Sequence, residues 1–381
     1  MANRFWVGGT GTWNNASTAN WSATSGGASG ASAPISADAV IFDALSGTGT
    51  CTVAAGAICA SLTQGASNIS VVFNIDMTIA GNLTLSAGTF DINNRIFTCT
   101  SGLSTAAAAR TIAFGSTGVL RCTRATSGSA LDIYNATIPA VITGTPVVEL
   151  TGNPSSLIAR NVRSNAISPI NPITLRVKAG SDTINFLTGA GYQDIDFTGF
   201  SGTLANAAIR VYGSLTVSTG MTLSAGTNAL SFVSTSGTYT HTFNGKSLDF
   251  PVTFNAPNSV HILSDALTVG SSRSLTLTSG LIKFQFGVTS SAGTFVIAGV
   301  PTVTLNSTVL GGTTTLLQTT GTVNASNAII QDINATGGAT WNAFTNDNNV
   351  DRGNNDGWNF ISIAQSVFNR IMTSVFKSVI Q

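Results

Sequence analysis

Charged side chains are scarce in this chain of 381 residues. Aspartate, glutamate, lysine and arginine together make up 8% of it, whereas an average soluble domain contains about 25%. The formal net charge is +1, so the chain has no basic field with which to neutralise phosphates. We therefore do not expect nucleic acid among its partners. A hydrophobic content of 43% also argues against a disordered chain.

Cysteine and histidine are also few, which limits metal chemistry. The four cysteines are Cys51, Cys59, Cys99 and Cys122. Their spacing is irregular and contains no CxxC pair, so we expect them to pack as small buried residues; a Cys51–Cys59 disulfide stays open. The two histidines, His241 and His261, have no second type of ligand at metal spacing. The sequence therefore predicts no metal and no cofactor.

Long apolar runs are missing. No segment approaches the ~20 apolar residues of a membrane-spanning helix, so a membrane is not an expected partner. The opening residues, MANRFWVGG, carry one positive charge but lack the apolar run of a secretory signal. We expect Met1 to begin an intact chain that has no signal peptide and is made in the cytoplasm.

Glycine and small polar residues take the place of charge, with 40 glycines in the chain. Threonine and valine suit pleated sheets, while glycine, asparagine and serine suit turns. One motif, a Leu-Thr-Leu or Leu-Thr-Val segment closed by a small residue and glycine, recurs along the chain. Its copies are NLTLSAGTFDI at 82–92, SLTVSTGMTLSAGTNAL at 214–230, ALTVGSS at 266–272 and SLTLTSGLIKF at 274–284. In each copy, leucine and the residue two positions later point to one face and threonine points to the other.

A second motif recurs as QDIDFTG at 193–199 and QDINATG at 331–337. Short strands of this kind fit either an array of β-sandwiches or a parallel β-helix. The β-helix is favoured because repeated segments stack in register and bury a continuous aliphatic column. We therefore predict an all-β chain in which residues 46–345 form a right-handed parallel β-helix with coils of roughly 20–25 residues.

A stack of coils has two ends that must be covered. Residues 1–45 are predicted to be an N-terminal cap, in which Trp6, Trp13 and Trp21 lie over the first coil. Residues 346–360 are predicted to be a closing loop, with Trp358 and Phe360 as its aromatic anchors.

Residues 361–381 follow a different period. Apolar pairs recur every four residues, which places them on one broad face of an amphipathic helix. The residues predicted to serve oligomerisation or docking on this face are Val367, Phe368, Ile371, Met372, Val375, Phe376 and Val379. Such a face needs a partner. Self-association, docking onto another protein and lying on a membrane are the three interpretations; the last is disfavoured because only Arg370 and Lys377 are basic.

Two sets of acidic residues were considered for chemistry. Asp194 and Asp196 are two apart on a strand and therefore share a face, as a pair of glycoside-hydrolysing carboxylates requires. Asp347, Asn349 and Asp351 alternate like the start of a calcium loop, but Arg352 stands where such a loop needs glycine. Structural roles are favoured for both sets, so the sequence predicts no catalytic residue and no enzyme.

Both ends of the chain resemble those of a known family. The stretch RFWVGGTGTWN at 4–14 with VIFD at 40–43, and the stretch ATGGATW at 335–341 with GNNDGWNF at 353–360, are similar to the ends of parallel β-helix surface proteins of bacteriophages and environmental bacteria. The resemblance implies a virion appendage, such as a tail fibre, spike or capsid decoration, or a secreted surface adhesin. It also implies a homo-oligomer, with a trimer as the expected form.

The sequence therefore predicts a structural protein located in a phage virion, with other virion proteins and host-surface glycans as its partners. The missing signal peptide favours the phage over the bacterial adhesin. The alternatives are a polysaccharide-degrading β-helix depolymerase that uses Asp194 and Asp196, and a bacterial surface adhesin.

Overall fold

The chain is an all-β protein, with 51% of its residues in strands and 2% in helix, and it forms a parallel β-solenoid of about 13 turns. The computed structural model describes residues 2–105, 109–133, 140–164, 172–187, 191–205, 207–361, 368 and 371–372. The chain divides into two compact units, Met1–Ser224 and Ala225–Gln381. The sequence had indicated no domain boundary at this position. The predicted all-β fold and parallel β-helix are confirmed.

The strands of the first unit are β1 (Asn3–Trp6), β2 (Gly11–Trp13), β3 (Trp21–Ser22), β4 (Ala39–Phe42), β5 (Thr48–Val53), β6 (Ser61–Gln64), β7 (Asn68–Phe73), β8 (Met77–Ile79), β9 (Asn82–Leu85), β10 (Gly88–Asp91), β11 (Ile96–Cys99), β12 (Gly102–Thr105), β13 (Arg110–Ala113), β14 (Val119–Cys122), β15 (Gly128–Asp132), β16 (Val141–Thr143), β17 (Val147–Leu150), β18 (Ala159–Arg163), β19 (Ile173–Val177), β20 (Thr183–Phe186), β21 (Gly191–Asp196), β22 (Thr203–Leu204), β23 (Ile209–Val211), β24 (Leu215–Thr216) and β25 (Thr222–Leu223). The elements of the second unit are β26 (Leu230–Phe232), β27 (Gly237–Thr242), β28 (Ser247–Leu248), β29 (Val252–Leu263), β30 (Thr268–Val269), β31 (Ser274–Phe284), β32 (Thr289–Ser291), β33 (Thr294–Ser307), β34 (Thr314–Leu317), β35 (Thr322–Asn324), β36 (Ser326–Gln331), β37 (Ile333–Thr336), β38 (Thr340–Asn342), a 3-10 helix (Thr345–Asp347), β39 (Val350–Asp351) and β40 (Trp358–Asn359).

Three sheets build the first unit. One has the order β25-β22-β20-β18-β15-β12-β9-β6-β4-β1-β3, a second the order β16-β13-β10-β7-β5-β2, and a third runs β23-β21-β19-β17-β14-β11-β8, with β24 also paired to β21. These strands pair in parallel, except that β3 runs antiparallel to β1 and brings Trp21 opposite Trp6. Each sheet therefore receives strands from successive coils, as a solenoid requires.

Three sheets also build the second unit. Strand β29 pairs with both β26 and β27, and its sheet continues through β31, β33 and β36 to β39. The other two sheets have the orders β28-β30-β32-β34-β37 and β35-β38-β40. The strands of this unit also pair in parallel, including the last pair, in which Trp358 lies beside Trp341.

Alternation along each strand fills the interior. In β31, Leu275 and Leu277 are buried while Thr276 between them is partly exposed, as the Leu-Thr-Leu motif predicted. The neighbouring strand β29 places Val252 beside Leu275. Leucine and valine of successive coils therefore form the continuous aliphatic column that makes stacking favourable.

Turns are held by asparagine side chains that bond to the next coil. Asn94 has a φ of 63°, in the left-handed region that asparagine adopts more readily than most residues. Its Oδ1 accepts hydrogen bonds from the backbone N–H groups of Ser116 at 2.6 Å and Thr117 at 3.1 Å. The corner of one coil thus fixes the corner of the next.

One ion pair lies fully inside the first unit. The Arg160 guanidinium donates from Nε to Asp182 Oδ2 at 2.7 Å and from Nη2 to Asp182 Oδ1 at 2.8 Å. Both side chains have 0% exposure. Arg160 Nη2 also donates to the carbonyl of Ala179, so the buried charges are paired in the bidentate geometry that offsets their desolvation.

Candidate functional site

The three N-terminal tryptophans form one buried cluster. Trp6, Trp13 and Trp21 have 0% exposure, and the Trp21 ring meets the other two edge-on, at centroid distances of 5.1 and 5.5 Å. They belong to strands of the sheets: β1 pairs in parallel with β4, and β2 pairs in parallel with β5. The cluster thus occupies the interior beside the first paired strands, and its role as a cap stays a prediction.

Asp194 and Asp196 lie together on the partly exposed face of β21. Asp194 Oδ1 accepts from the backbone N–H of Ser214 at 2.7 Å, and its Oδ2 accepts from the Thr174 hydroxyl at 3.2 Å. Asp196 pairs with the Lys178 ammonium and accepts from the backbone N–H of Thr198 at 2.8 Å. Each carboxylate therefore ties neighbouring segments of the chain together.

The charge state of Asp196 is set by these contacts. Partial burial raises the pKa of this carboxyl, but the hydrogen bonds from Lys178 and Thr198 outweigh it, and the pKa lies below its ordinary value. A general acid that protonates a glycosidic oxygen needs a raised pKa instead. Asp196 is therefore held as a carboxylate.

The loop that carries Asp347, Asn349 and Asp351 forms hydrogen bonds within itself and with the coil before it. Asp347 is exposed in the 3-10 helix, whereas Asn349 is buried and donates to the carbonyls of Ala325 and Phe344. Asp351 Oδ1 accepts from the backbone N–H of Gly353, which is an Asx-turn. Within the described residues, no group of three or more histidine, cysteine or acidic side chains has a geometry that could hold a metal.

The C-terminal segment is described at three positions only. Phe368, Ile371 and Met372 have helical backbone and exposures of 60%, 54% and 38%. The other predicted residues of this face, Val367, Val375, Phe376 and Val379, lie outside the described residues. The amphipathic helix and its docking role therefore stay predictions. No helix in the described part of the chain is long and apolar enough to span a membrane.

A groove lies beside the last strand of the second unit. Its volume is about 440 Å³, and we call it the aromatic–amide groove; it is lined by Thr340, Asn342, Phe344, Trp358, Asn359, Phe360 and Ile361. It thus includes Trp358 and Phe360, which the sequence analysis assigned only as structural anchors.

Two features give the groove its form. The Trp358 indole is fixed by a hydrogen bond from Nε1 to the carbonyl of Ile333 at 3.0 Å and by edge-on contact with Trp341 at 5.1 Å. Beside it, Asn359 donates to Asn342 at 3.0 Å, and Asn342 donates to Asn324 at 2.9 Å. Aromatic residues and two members of this amide ladder, Asn342 and Asn359, therefore line the same groove.

A buried imidazole pair lies in the second unit. His241 Nε2 and His261 Nδ1 are 2.8 Å apart, and the two ring planes are nearly parallel, inclined by 11° with centroids 5.0 Å apart. His261 Nε2 lies 3.0 Å from the hydroxyl of Ser234. Both histidines have 0% exposure and Ser234 has 2%, so this Ser-His-His chain is closed to any substrate. Burial lowers the pKa of His241 well below its ordinary value, with the nearby His261 adding to the effect, and burial lowers the pKa of His261 to about 4.

Sequence reasoning missed the groove and the imidazole pair. For the amide ladder, the signal that was present is the recurrence of asparagine at the coil period: Asn324, Asn342 and Asn359 are separated by 18 and 17 residues and lie opposite one another in the paired strands. In a solenoid, identical residues that are separated by the local coil length lie opposite each other on successive coils, as these asparagines do. His241 and His261 are 20 residues apart, whereas β27 and β29 pair at an offset of 22, so the two imidazoles are diagonal neighbours.

Comparisons with protein-family models, with curated proteins and with solved structures gave no match to this chain.

Proposed function

We propose that this chain is a structural protein of a bacteriophage virion, a tail-fibre, spike or capsid-decorating appendage that assembles as a homo-oligomer, with a trimer as the expected form. The observation that carries the proposal is the construction of both units as stacked parallel coils with an apolar interior. Stacking of this kind gives stiffness without catalytic machinery. The resemblance of both chain ends to phage β-helix proteins supports the same role.

Adhesion to the host is part of the proposal. The outward positions of the strands are mostly threonine, serine and asparagine, such as Thr276 in β31 and Thr84 in β9. Hydroxyls and amides make weak contacts with sugar hydroxyls, and an oligomer repeats each contact, so avidity exceeds the strength of any single one.

The bonding of Asp194 and Asp196 supports a structural role over the depolymerase. Asp194 accepts a hydrogen bond from Ser214 and Asp196 accepts one from Lys178, each on a neighbouring segment, and Asp196 is held ionised. The protein should therefore release no reducing ends from host capsule or lipopolysaccharide. Release that disappears in Asp196→Asn, but not in an Asp356→Asn control on the exposed closing loop, would overturn the structural assignment.

Location is the decisive test of the virion role. Purified particles from the phage that encodes this chain should contain it at a fixed copy number, measured by quantitative mass spectrometry. Immunogold labelling should then place it on a tail or a capsid. Its absence from purified particles, or a gene neighbourhood without capsid and tail genes, would refute the virion assignment.

A further inference from the structure

We propose that the aromatic–amide groove binds a neutral saccharide, with one sugar ring stacked against Trp358. This inference rests on the adhesive role proposed above and gives it a specific site. The groove volume of about 440 Å³ lies within the ~300–1,000 Å³ of typical small-molecule sites.

The aromatic part of the groove suits the apolar face of a sugar. Trp358 and Phe360 are half-buried, with ring centroids 6.4 Å apart and planes inclined by 33°, and Phe344 lines the same space. The face of an aromatic ring carries negative potential, whereas the C–H bonds on one face of a pyranose are weakly positive. The two surfaces attract and exclude water from each other.

The Trp358 ring is already in place before any ligand arrives. The hydrogen bond from Trp358 Nε1 to the Ile333 carbonyl and the contact with Trp341 fix the indole. A ligand then gives up little free energy to order the site.

The amide part of the groove suits the hydroxyl groups of a sugar. The Asn359 amide uses one N–H to bond Asn342. A primary amide has two donors and two acceptor lone pairs, so Asn359, which is exposed, keeps bonding capacity for a ligand. Thr340 adds a hydroxyl at the same groove. Donors and acceptors therefore line the same groove as the aromatic rings. A sugar presents the complementary pattern, with hydroxyl groups around an apolar ring face.

The uncharged lining of the groove determines whether it favours neutral or acidic saccharides. None of the seven lining residues is ionisable, so a carboxylated or phosphorylated sugar would lose hydration there without gaining a counter-charge. The groove therefore favours a neutral glycan over an acidic one.

Saturation-transfer-difference NMR on the full chain tests this inference. The probes are neutral trisaccharides of glucose, galactose, mannose and N-acetylglucosamine, together with trigalacturonate as an acidic probe. We expect transfer to the ring protons of at least one neutral trisaccharide and weaker transfer to trigalacturonate. Absence of transfer to all four neutral probes, or stronger transfer to the acidic one, would overturn the proposal.

Two variants locate the binding. Trp358→Ala should weaken it about tenfold, because the variant removes the aromatic face on which the sugar ring stacks. Because Trp358 also packs on Trp341, Thr340→Arg provides a second variant, which fills the groove from an exposed position and leaves the core contacts in place. Phe286→Ala, at an exposed aromatic outside the groove, is the matched control and should bind normally. Equal binding by all three variants would refute the site.

This outcome is separate from that of the virion assignment. A chain present in purified particles that binds no neutral sugar would retain the appendage role and lose the groove. A chain that binds sugar through the groove but is absent from particles would keep the groove as a sugar-binding site and lose the virion role.

Discussion

At the scale of single residues, the proton arrangement of the buried imidazole pair follows from its unequal ends. His241 Nδ1 has no hydrogen-bond partner within the described residues, whereas His261 Nε2 reaches Ser234. An orphaned N–H costs more than an orphaned acceptor. We therefore infer that His241 donates from Nε2 to His261 Nδ1, and that His261 donates from Nε2 to the serine hydroxyl. Both rings are neutral in this arrangement.

Acid should destabilise the second unit through this pair. The native pKa of His261 is about 4, whereas an unfolded histidine titrates near pH ~6.5. The contribution of neutral His261 to the free energy of unfolding is fully present above the unfolded-state pKa. It is lost as the pH falls from about 6.5 towards 4, because over this range the unfolded chain binds a proton that the native chain does not. The expected loss is ~3 kcal/mol from His261, with His241 adding in the same direction. Denaturant melts between pH 7 and 4 measure it.

A variant without imidazoles is the control for this window. The surrounding groups are Phe232, Phe254 and the ring of Tyr239, so aromatic substitutes fit the setting. His241→Phe with His261→Phe and Ser234→Ala should flatten the pH dependence. An unchanged slope in this variant would mean that other groups cause it.

The tryptophan cluster gives a second prediction at this scale. Trp6→Ala or Trp13→Ala removes a fully buried ring and should cost about 3–5 kcal/mol of unfolding free energy, together with solubility. Trp13→Phe should cost much less, since it keeps most of the ring and Trp13 Nε1 has no hydrogen-bond partner within the described residues. Leu157→Ala, at 93% exposure, serves as the neutral control in urea titrations. A change below 1 kcal/mol in Trp6→Ala would contradict a structural role for the cluster.

At the scale of elements, the alternation of leucine and threonine was enough to predict strands and their inward faces. Leu83 and Leu85 are buried on β9, and Leu275 and Leu277 are buried on β31. Register was harder, because coil length varies along the chain. Strands β27 and β29 pair so that His261 lies opposite Tyr239 and His241 opposite Leu263, which makes the two imidazoles diagonal neighbours. Side-chain alternation is the same for every even shift of register, so it does not select this one. The fold class was therefore accessible from sequence, while the groove and the imidazole pair were not.

Deletion of residues 361–381 tests the predicted C-terminal helix. The β-structure of the remaining chain should persist by circular dichroism, because its strands pair without that segment. The proposed oligomer should dissociate, or incorporation into particles should fail, since the truncation removes the apolar face predicted to hold it. Sedimentation of the truncated and full chains measures the outcome. An unchanged oligomer mass with normal incorporation would rule out the docking role.

At the scale of the whole molecule, stability is a sum of local terms. Each coil contacts its neighbours, and few charges contribute at a distance. Solenoids of this kind follow nearest-neighbour energetics. A defect in one coil is then felt mainly by the coils beside it.

Hydrogen exchange can measure how far such a defect reaches in the first unit. Phe97 on β11 is buried against Phe73 and Phe90 at centroid distances of 5.1 Å. Phe97→Ala should reduce amide protection most in β8 and β14, which flank β11, and less in β17 and β19. Thr98→Ala, on the outward face of the same strand, is the control. Equal loss of protection throughout Met1–Ser224 would indicate a single cooperative block instead.

The reversed direction of β3 bears on polymerisation. Parallel stacking has no intrinsic stop, because the edge of one sheet offers the next chain the same slanted hydrogen-bond pattern that its own coils use. Strand β3 (Trp21–Ser22) covers the β1 edge in the opposite sense and is only two residues long. An incoming strand meets this short antiparallel strand there instead of the parallel ladder of β1. Strand β3 thereby leaves a ladder of two residues at this edge of the sheet, which disfavours edge-to-edge association there.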